Sequence, residues 1–176
     1  MPGSHQAPAA TRRLFFALWP AACTREQILQ RRDSAGTISP RRVPAHNFHL
    51  TLLFLGNQPA DRVDEILALG DAIENEAFDL VLDRWGHFDG PGVVWLGAEA
   101  PAACRTLVDK LTGRALDQGL QFQHRPFVPH LTLFRRVTGP WQAPPVEPIP
   151  WSVEEFSLIE SIPQQPYQVL RTWPLQ

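Results

Sequence analysis

The sequence has few cysteines, a single lysine and no long hydrophobic stretch. Cys23 and Cys104 are the only cysteines among 176 residues, which excludes the disulfide framework of a small secreted domain. No apolar run reaches the ~18 residues that cross a membrane, and no charged segment followed by an apolar one suggests a secretory signal. These absences predict a cytoplasmic protein that has no membrane partner.

Several common catalytic and ligand-binding motifs are missing as well. Neither GxGxxG nor GxxxxGKS/T occurs, which removes the two common phosphate-binding loops from consideration. The chain has no HxH, HExxH or CxxC spacing, and no GxSxG elbow that would expose a nucleophilic serine. We therefore expect no metal and no cofactor.

The composition is that of a globular protein, with 44% apolar and 19% charged residues. A chain of this length suits one domain, or two small lobes that share a core. The net charge of −2 is unevenly spread, because residues 1–60 carry seven arginines against Glu26 and Asp33. This basic third would suit a phosphate-bearing ligand, but the charge alone favours a solvated surface.

The order of predicted elements favours an α+β domain over a doubly wound nucleotide-binding fold. Residues 1–11 resemble a flexible tail, and the proline-rich stretch 139–150 is predicted to be a loop or an edge connection. The predicted helices are 20–36, 59–75 and 101–118, and the predicted strands are 14–19, 49–55 (ended by Gly56), 78–84, 93–97, 130–137, 152–159 and 167–172.

The tetrapeptide His-Leu-Thr-Leu occurs twice, at 49–52 and 130–133, each time at the start of a predicted strand. Side chains alternate between the two faces of a strand, so each copy presents a histidine and a threonine on one face and leucines on the other. Two such strands in one cleft would offer one neutral and one protonated imidazole near pH 7, as paired general base and general acid require. Threonine hydroxyls suit the non-bridging oxygens of a phosphate.

A single histidine on a strand is more often structural than catalytic, but the doubled and matched pair favours catalysis. His46 lies three residues before His49, which in extended chain faces the other way, and His87 and His124 are predicted to lie in surface loops. No acidic residue falls within either motif, which argues against a metal site. The chemistry that these residues suggest is metal-free cleavage of a phosphodiester by two histidines.

The two copies, HLTLLFLG at 49–56 and PHLTLFR at 129–135, resemble the paired HxTx motifs of the two-histidine (2H) phosphoesterases, and among them the RNA 2′,3′-cyclic phosphodiesterases, also called 2′-5′ RNA ligases. The similarity extends over nearly the whole chain and includes RLFFALWP at 13–20, FDGPGVVWLG at 88–97, and FSLIES at 156–161 with Tyr167. The proline-rich segment 138–150 departs from the family pattern.

The resemblance implies a single bilobal α+β domain over residues 12–176, with a pseudo-two-fold axis, antiparallel sheets lining a central cleft and helices outside. It implies that His49 is the proton donor and His130 the proton acceptor. In that scheme His130 activates a water that attacks the cyclic phosphate, and His49 protonates the departing 3′ oxygen, which leaves a 2′-phosphate. Thr51 and Thr132 would hold the phosphate. Ligation of RNA ends through a 2′-5′ linkage would be the reverse chemistry.

The same resemblance places a phosphate-binding arginine five residues after the second histidine, at Arg135. Strict alternation along the strand instead puts Arg136, and not Arg135, on the face of His130. A β-bulge between Thr132 and Arg135 would reconcile the two, since one extra residue reverses the facing. A further alternative is that both arginines are solvated and only flank the cleft.

The expected partner is an RNA with a 2′,3′-cyclic phosphate end, such as a tRNA fragment, or a cyclic nucleotide, bound by a monomer that has no protein partner. Two other functions remain open. One is that of a two-histidine phosphodiesterase that acts on a small cyclic nucleotide or a 2′-5′ oligoadenylate. The other is that of a non-catalytic module that binds RNA ends. Two intact histidines at matched positions argue against the last, because anion binding alone does not require two titrating groups.

Overall fold

Strands dominate the computed structural model, which describes residues 10–176. The helices are α1 Ala22–Ser34, α2 Val63–Asp71 and α3 Ala102–Asp117, and two short 3-10 helices cover Ala45–Asn47 and Ala60–Arg62. The strands are β1 Thr11–Leu18, β2 Arg41–Arg42, β3 Leu50–Pro59, β4 Phe78–Leu82, β5 Arg84–Phe88, β6 Val93–Gly97, β7 His130–Arg135, β8 Ile149–Val153, β9 Glu155–Glu160 and β10 Gln168–Pro174.

Eight of these strands form one antiparallel sheet with the order β10-β9-β1-β3-β7-β6-β5, in which β2 also pairs with β7. Strands β4 and β8 form a separate antiparallel pair. Along the large sheet the pairing is extensive within each half, but β3 and β7 pair only through Leu50 and Leu131. The sheet therefore consists of two lobes, β10-β9-β1-β3 and β7-β6-β5, that join at a single residue pair.

That single pair joins equivalent residues of the two His-Leu-Thr-Leu copies. Leu50 and Leu131 are the second residues of their copies, and the strands run antiparallel. An antiparallel pair of equivalent residues has a local two-fold axis between them. The expected pseudo-symmetric α+β arrangement is present, and its axis passes through the doubled motif.

The main hydrophobic core lies on one face of the large sheet, beneath the helices. Helix α3 contributes an apolar stripe of five buried residues, Cys104, Leu107, Val108, Leu111 and Ala115. Helices α1 and α2 add side chains such as Ile28 and Ile66 to the same cluster. Burying a large aliphatic side chain stabilises the fold by about 1.5–3 kcal/mol, so this face fixes the strands and leaves the opposite face available for a ligand.

Several boundaries differ from those that the sequence predicts. Gly56 does not end its strand, because its positive φ of 68° permits a bulge and β1 continues to pair with β3 up to Pro59. The segment around His87, predicted to be a turn-rich loop, is strand β5, and His87 is half-buried. The stretch 152–159 is not one strand, since β8 and β9 are separated at Glu154.

Other elements match their predictions or extend them. Strand β6 has the predicted bounds, and β9 with β10 forms the expected closing hairpin. The two-residue strand β2 lies between the predicted helix 20–36 and the predicted strand 49–55, where the sequence predicts no element. Thr11, grouped with the predicted tail, is the first residue of β1, and residues 1–9 of that tail lie outside the described part. Among residues 10–176, no helix is long and apolar enough to span a bilayer.

Candidate active site

The two histidines lie on neighbouring strands at the junction of the lobes. His49 directly precedes β3, and His130 is the first residue of β7. Leu50 and Leu131, which pair with each other between them, are fully buried in the core. Because strand side chains alternate, His49, Thr51, His130 and Thr132 lie on the opposite face, and all four are half-buried. The structure thus brings both copies of the motif to one site.

Both histidine rings are held in the same way. Nδ1 of His49 lies 2.7 Å from the carbonyl oxygen of Asn47, and Nδ1 of His130 lies 2.7 Å from that of Val128. A carbonyl oxygen only accepts hydrogen bonds, so each Nδ1 carries the proton and donates it. The free nitrogen of each ring is therefore Nε2, which is the atom available to exchange a proton with a ligand.

Aromatic side chains surround each ring. Around His49, the Trp19 ring lies nearly parallel at a centroid distance of 5.9 Å, and Phe15 and Tyr167 lie at 5.0 and 5.2 Å. Around His130, Phe88 and Trp95 lie at 5.1 and 5.7 Å. The aromatic residues come from β1 and the residue after it, from β5 and β6, and from the segment before β10, which are far apart in the sequence. The sequence indicated them only through the segments 13–20 and 88–97 and Tyr167, which resemble the family.

This environment lowers the pKa of both histidines. Burial is the main cause at His49, where it outweighs the hydrogen bond to Asn47 and, together with the nearby charges of Arg135 and His130, lowers the pKa to about 4. Burial also lowers the pKa of His130, and the charge of Arg135 acts in the same direction. Both rings are therefore neutral at pH 7 when the cleft holds no anion.

A β-bulge in β7 determines where Arg135 lies. In the pairing of β6 with β7, Trp95 is opposite Thr132 and Val94 is opposite Phe134, so Leu133 is the additional residue. Leu133 and Phe134 are both fully buried, whereas Arg135 is exposed. The alternation is thereby shifted by one residue, and Arg135 lies on the same face as Thr132.

The first motif contains the same irregularity at the same position. In the pairing of β1 with β3, Ala17 is opposite Thr51 and Phe16 is opposite Leu53, so Leu52 is the additional residue. The residue that corresponds to Arg135 is Phe54, which is 40% exposed. The pseudo-symmetry of the cleft therefore extends to its bulges and ends at this position, where one lobe has an aromatic ring and the other a guanidinium.

A cavity of about 310 Å³ opens beside the histidines. Of the predicted site residues, His49, Thr132 and Arg135 line it, whereas Thr51 and His130 are not among its lining residues. The other residues that line it are Arg41, Arg42, Val43, Pro44, Asn47, Arg136 and Tyr167. The sequence analysis names Arg136 as a candidate, but it assigns no role to Arg41 or Asn47, which lie between the predicted helix 20–36 and the predicted strand 49–55.

Metal-binding geometry is not found in this region. Within the part of the chain that the structure describes, residues 10–176, no three His, Cys, Asp or Glu side chains are grouped so that they would hold a metal ion. The polar side chains that line the cavity are the imidazole of His49, the amide of Asn47, the hydroxyls of Thr132 and Tyr167, and four guanidinium groups, and these positive charges and donors are suited to an anion.

Known proteins are similar to this chain in both sequence and fold. The sequence model of the 2′-5′ RNA ligase superfamily matches residues 19–163. The chain belongs to this superfamily. It is 36% identical to the RNA 2′,3′-cyclic phosphodiesterase of Escherichia coli K12 over 93% of this chain and 96% of that protein. It is 34% identical to the protein of the same name from Thermus thermophilus, over 93% of this chain and 90% of that one.

Solved structures of the superfamily agree with the arrangement described above. The crystal structure of E. coli LigT with 3′-AMP matches with a TM-score of 0.87 and 34% identity, and covers 95% of this chain and 99% of that one. The structure of E. coli LigT with phosphate matches with a TM-score of 0.79 and 32% identity, over 94% and 98% of the two chains. E. coli LigT has thus been crystallised with a nucleotide and with an anion.

Proposed function

We propose that this protein is an RNA 2′,3′-cyclic phosphodiesterase that works without a metal ion. The observation that carries the proposal is the matched pair of histidines beside a cavity lined by arginines. Each histidine donates a hydrogen bond from Nδ1–H to a backbone carbonyl oxygen and leaves Nε2 free. Relatives with 36% and 34% identity over most of the chain bear this name. The substrate is an RNA that ends in a 2′,3′-cyclic phosphate, tRNA fragments included, or a cyclic nucleotide.

In the proposed reaction His130 is the general base and His49 the general acid. Nε2 of His130 takes a proton from water, and the water oxygen attacks the phosphorus. The bond between phosphorus and the 3′ oxygen breaks, and Nε2 of His49 gives its proton to that oxygen. The products are a 2′-phosphate and a free 3′-hydroxyl. With an RNA 5′-hydroxyl in place of water, the same opening would form a 2′-5′ linkage.

Binding of the substrate favours protonation of His49, the proposed general acid. The surroundings of His49 lower its pKa to about 4, so its ring carries a single proton, on Nδ1, at pH 7. A cyclic phosphodiester has one negative charge, and an anion beside a buried imidazole favours its protonated form. Binding of the substrate therefore raises the pKa of His49 towards the range in which it donates a proton.

The remaining site residues bind the phosphate in this proposal. The hydroxyls of Thr51 and Thr132 donate to its non-bridging oxygens, and their β-branched side chains have stiff rotamers. The guanidinium of Arg135 stabilises the charge that develops on those oxygens. Because both motifs lie on one chain, one copy supplies both histidines, and the proposed active form is a monomer. The proposed compartment is the cytoplasm.

The decisive experiment is hydrolysis of 2′,3′-cyclic CMP and of an RNA with a 2′,3′-cyclic phosphate end, in the presence of EDTA. We expect both to be opened and the product to carry a 2′-phosphate, identified by ³¹P NMR or chromatography. A 3′-phosphate product would contradict the direction of proton transfer. Activity that is lost in EDTA and restored by Mn²⁺ would contradict the metal-free mechanism, and no hydrolysis of either substrate would contradict the function.

A further inference from the structure

The cavity beside His49 contains more positive charge than one cyclic phosphate requires. Among the described residues 10–176, four arginines line it, at positions 41, 42, 135 and 136, and no acidic residue does. Arg42 is already partnered, since its guanidinium lies 3.4 Å from Asp33 and also donates to Thr37. Over residues 10–176, the ion pairs do not include Arg41, Arg135 or Arg136.

The charge balance points to a second anion. A 2′,3′-cyclic phosphodiester has a single negative charge, and Arg135 is sufficient to balance it. Two further guanidinium groups then remain in a cavity of about 310 Å³, where like charges repel. This volume is at the lower end of ligand pockets, which span roughly 300–1,000 Å³, so a second anion has to be a near neighbour of the first.

The backbone fixes Arg41 beside Arg135. The two residues are opposite each other in the pairing of β2 with β7. Ser39, whose side chain is buried, joins them further, because its Oγ donates to the carbonyl oxygen of Arg135 at 2.6 Å and accepts from the amide nitrogen of Arg41 at 3.1 Å. Arg41 is therefore held by both a strand pair and a buried hydroxyl.

The backbone of Arg136 is fixed on the other side. Its φ of 54° is in the left-handed region, which a non-glycine residue adopts mainly where its surroundings enforce it. The next residue, Val137, donates its amide to the carbonyl of Gly92 at 2.9 Å. Gly92 has to be a glycine for this contact, because a Cβ there would lie 2.7 Å from the carbonyl oxygen of Val137.

We propose that Arg41 and Arg136 form a second phosphate subsite, which binds the phosphate on the 5′ oxygen of the nucleoside whose 2′,3′-cyclic phosphate reacts. That phosphate is the nearest one along the chain to the reacting group. Both the internucleotide phosphodiester of an RNA and a free 5′-monophosphate supply it. The inference rests on the proposed function and adds a preference to it: a terminal nucleotide with a 5′ phosphate is a better substrate than one without.

The test compares three substrates: a 2′,3′-cyclic mononucleotide with a 5′-hydroxyl, the same nucleotide with a 5′-monophosphate, and a dinucleotide with a 2′,3′-cyclic end. We expect kcat/KM to be higher for the two that carry a 5′ phosphate. Arg41→Gln and Arg136→Gln should each reduce that preference about tenfold, mainly through KM. Arg114→Gln, which changes an exposed arginine on α3, is the matched control and should leave all three values unchanged.

Two features separate a phosphate contact from a structural effect. Glutamine, like arginine, is unbranched at Cβ and Cγ, so Arg136→Gln is compatible with the same backbone conformation, and far-UV circular dichroism checks the fold of both variants. For the dinucleotide, the dependence of log KM on log salt concentration should become shallower in each variant, by roughly 0.7 per lost phosphate contact. A variant with a merely disturbed cleft would keep the wild-type slope.

The possible outcomes distinguish this inference from the function on which it rests. If the wild-type protein opens none of the three substrates, the proposed function is wrong. If it opens all three without a preference, or if the variants reduce all three equally, the function stands and the second subsite is wrong. A preference confined to the dinucleotide identifies the internucleotide phosphodiester as the ligand, and a preference shared by the 5′-monophosphate identifies any phosphate on the 5′ oxygen.

Discussion

Each histidine of the cleft has one ring nitrogen occupied by a backbone carbonyl and one nitrogen free. A ring held in this way presents Nε2 in a fixed direction, as proton transfer requires. If both rings take part in one transfer, replacing either by alanine should reduce turnover of a 2′,3′-cyclic nucleotide by about 10²–10⁴-fold. The double variant should lose little more than the single ones, because the two groups act together.

The measurement is steady-state kinetics of His49→Ala, His130→Ala and the double variant. His124→Ala is a suitable control, since His124 is exposed and does not line the cavity. A single variant that keeps nearly the full rate would show that its histidine is structural.

The pH dependence should follow from the lowered pKa values. In the free protein the pKa of His49 is about 4, and that of His130 lies below its usual 6.5. The profile of kcat/KM reports the free enzyme, so we expect a bell whose centre lies below pH 6.5. Its two limbs belong to the pair and not to one residue. The profile of kcat should be displaced upward, because bound phosphate favours the charged rings.

Arg135 supplies a check on this explanation. Its charge lowers the pKa of both histidines, so Arg135→Ala should shift the centre of the kcat/KM bell to higher pH. A wild-type bell centred above pH 7, or one that Arg135→Ala moves to lower pH, would contradict the electrostatic description of the cleft.

At the scale of the elements, the bulges decide which side chains face the ligand. With Leu133 as the additional residue of β7, Arg135 is on the face of Thr132. On a cyclic mononucleotide, Arg135→Ala should therefore reduce kcat/KM clearly more than Arg136→Ala, by about tenfold or more, since removing a donor that stabilises developing charge costs up to ~10²–10³ in rate. Kinetics of the two variants on 2′,3′-cyclic CMP test this, and the reverse order would support a regular strand.

The sequence was sufficient for some elements because their signals are local. The five apolar residues of α3 recur at helical spacing, and the doubled His-Leu-Thr-Leu marked β3 and β7 without any structure. Strand β5 was missed because its glycine resembles a turn residue. Gly86 is needed instead for packing, since a Cβ there would lie 2.0 Å from the ring of Trp95.

The two bulges and the position of Arg41 in the cavity have no such local signal. Leu52 and Leu133 are apolar residues in apolar strands, so the sequence is compatible with either register, and only pairing with β1 and β6 selects one. Arg41 reaches the cavity through a strand pair with Arg135, 94 residues later in the chain. Contacts between distant segments of this kind follow from the tertiary fold and not from periodicity.

At the scale of the whole molecule, the two lobes share one core. The large hydrophobic cluster includes residues of both, such as Leu14 of β1 and Leu96 of β6, together with all three helices. We therefore expect residues 12–176 to unfold as one cooperative unit in spite of the narrow junction of β3 and β7. Urea unfolding followed by tryptophan fluorescence and by far-UV circular dichroism should give coincident curves.

The tryptophans make this a sensitive test, because Trp173 lies in one lobe and Trp85 and Trp95 lie in the other. A fluorescence change that precedes the loss of circular dichroism would show that the lobes unfold separately. In that case the chain would be better described as two domains.

The difference between Phe54 and Arg135 has a consequence for the orientation of a nucleotide in the cleft. The two motifs share histidine, threonine and bulge at corresponding positions, and they differ at Phe54 and Arg135. A nucleotide is not symmetric: one end is flat and uncharged, and the other carries the phosphates. The aromatic ring on one lobe and the guanidinium on the other therefore make the two halves of the cleft chemically different, and we expect a bound nucleotide to be oriented with its phosphates towards Arg135.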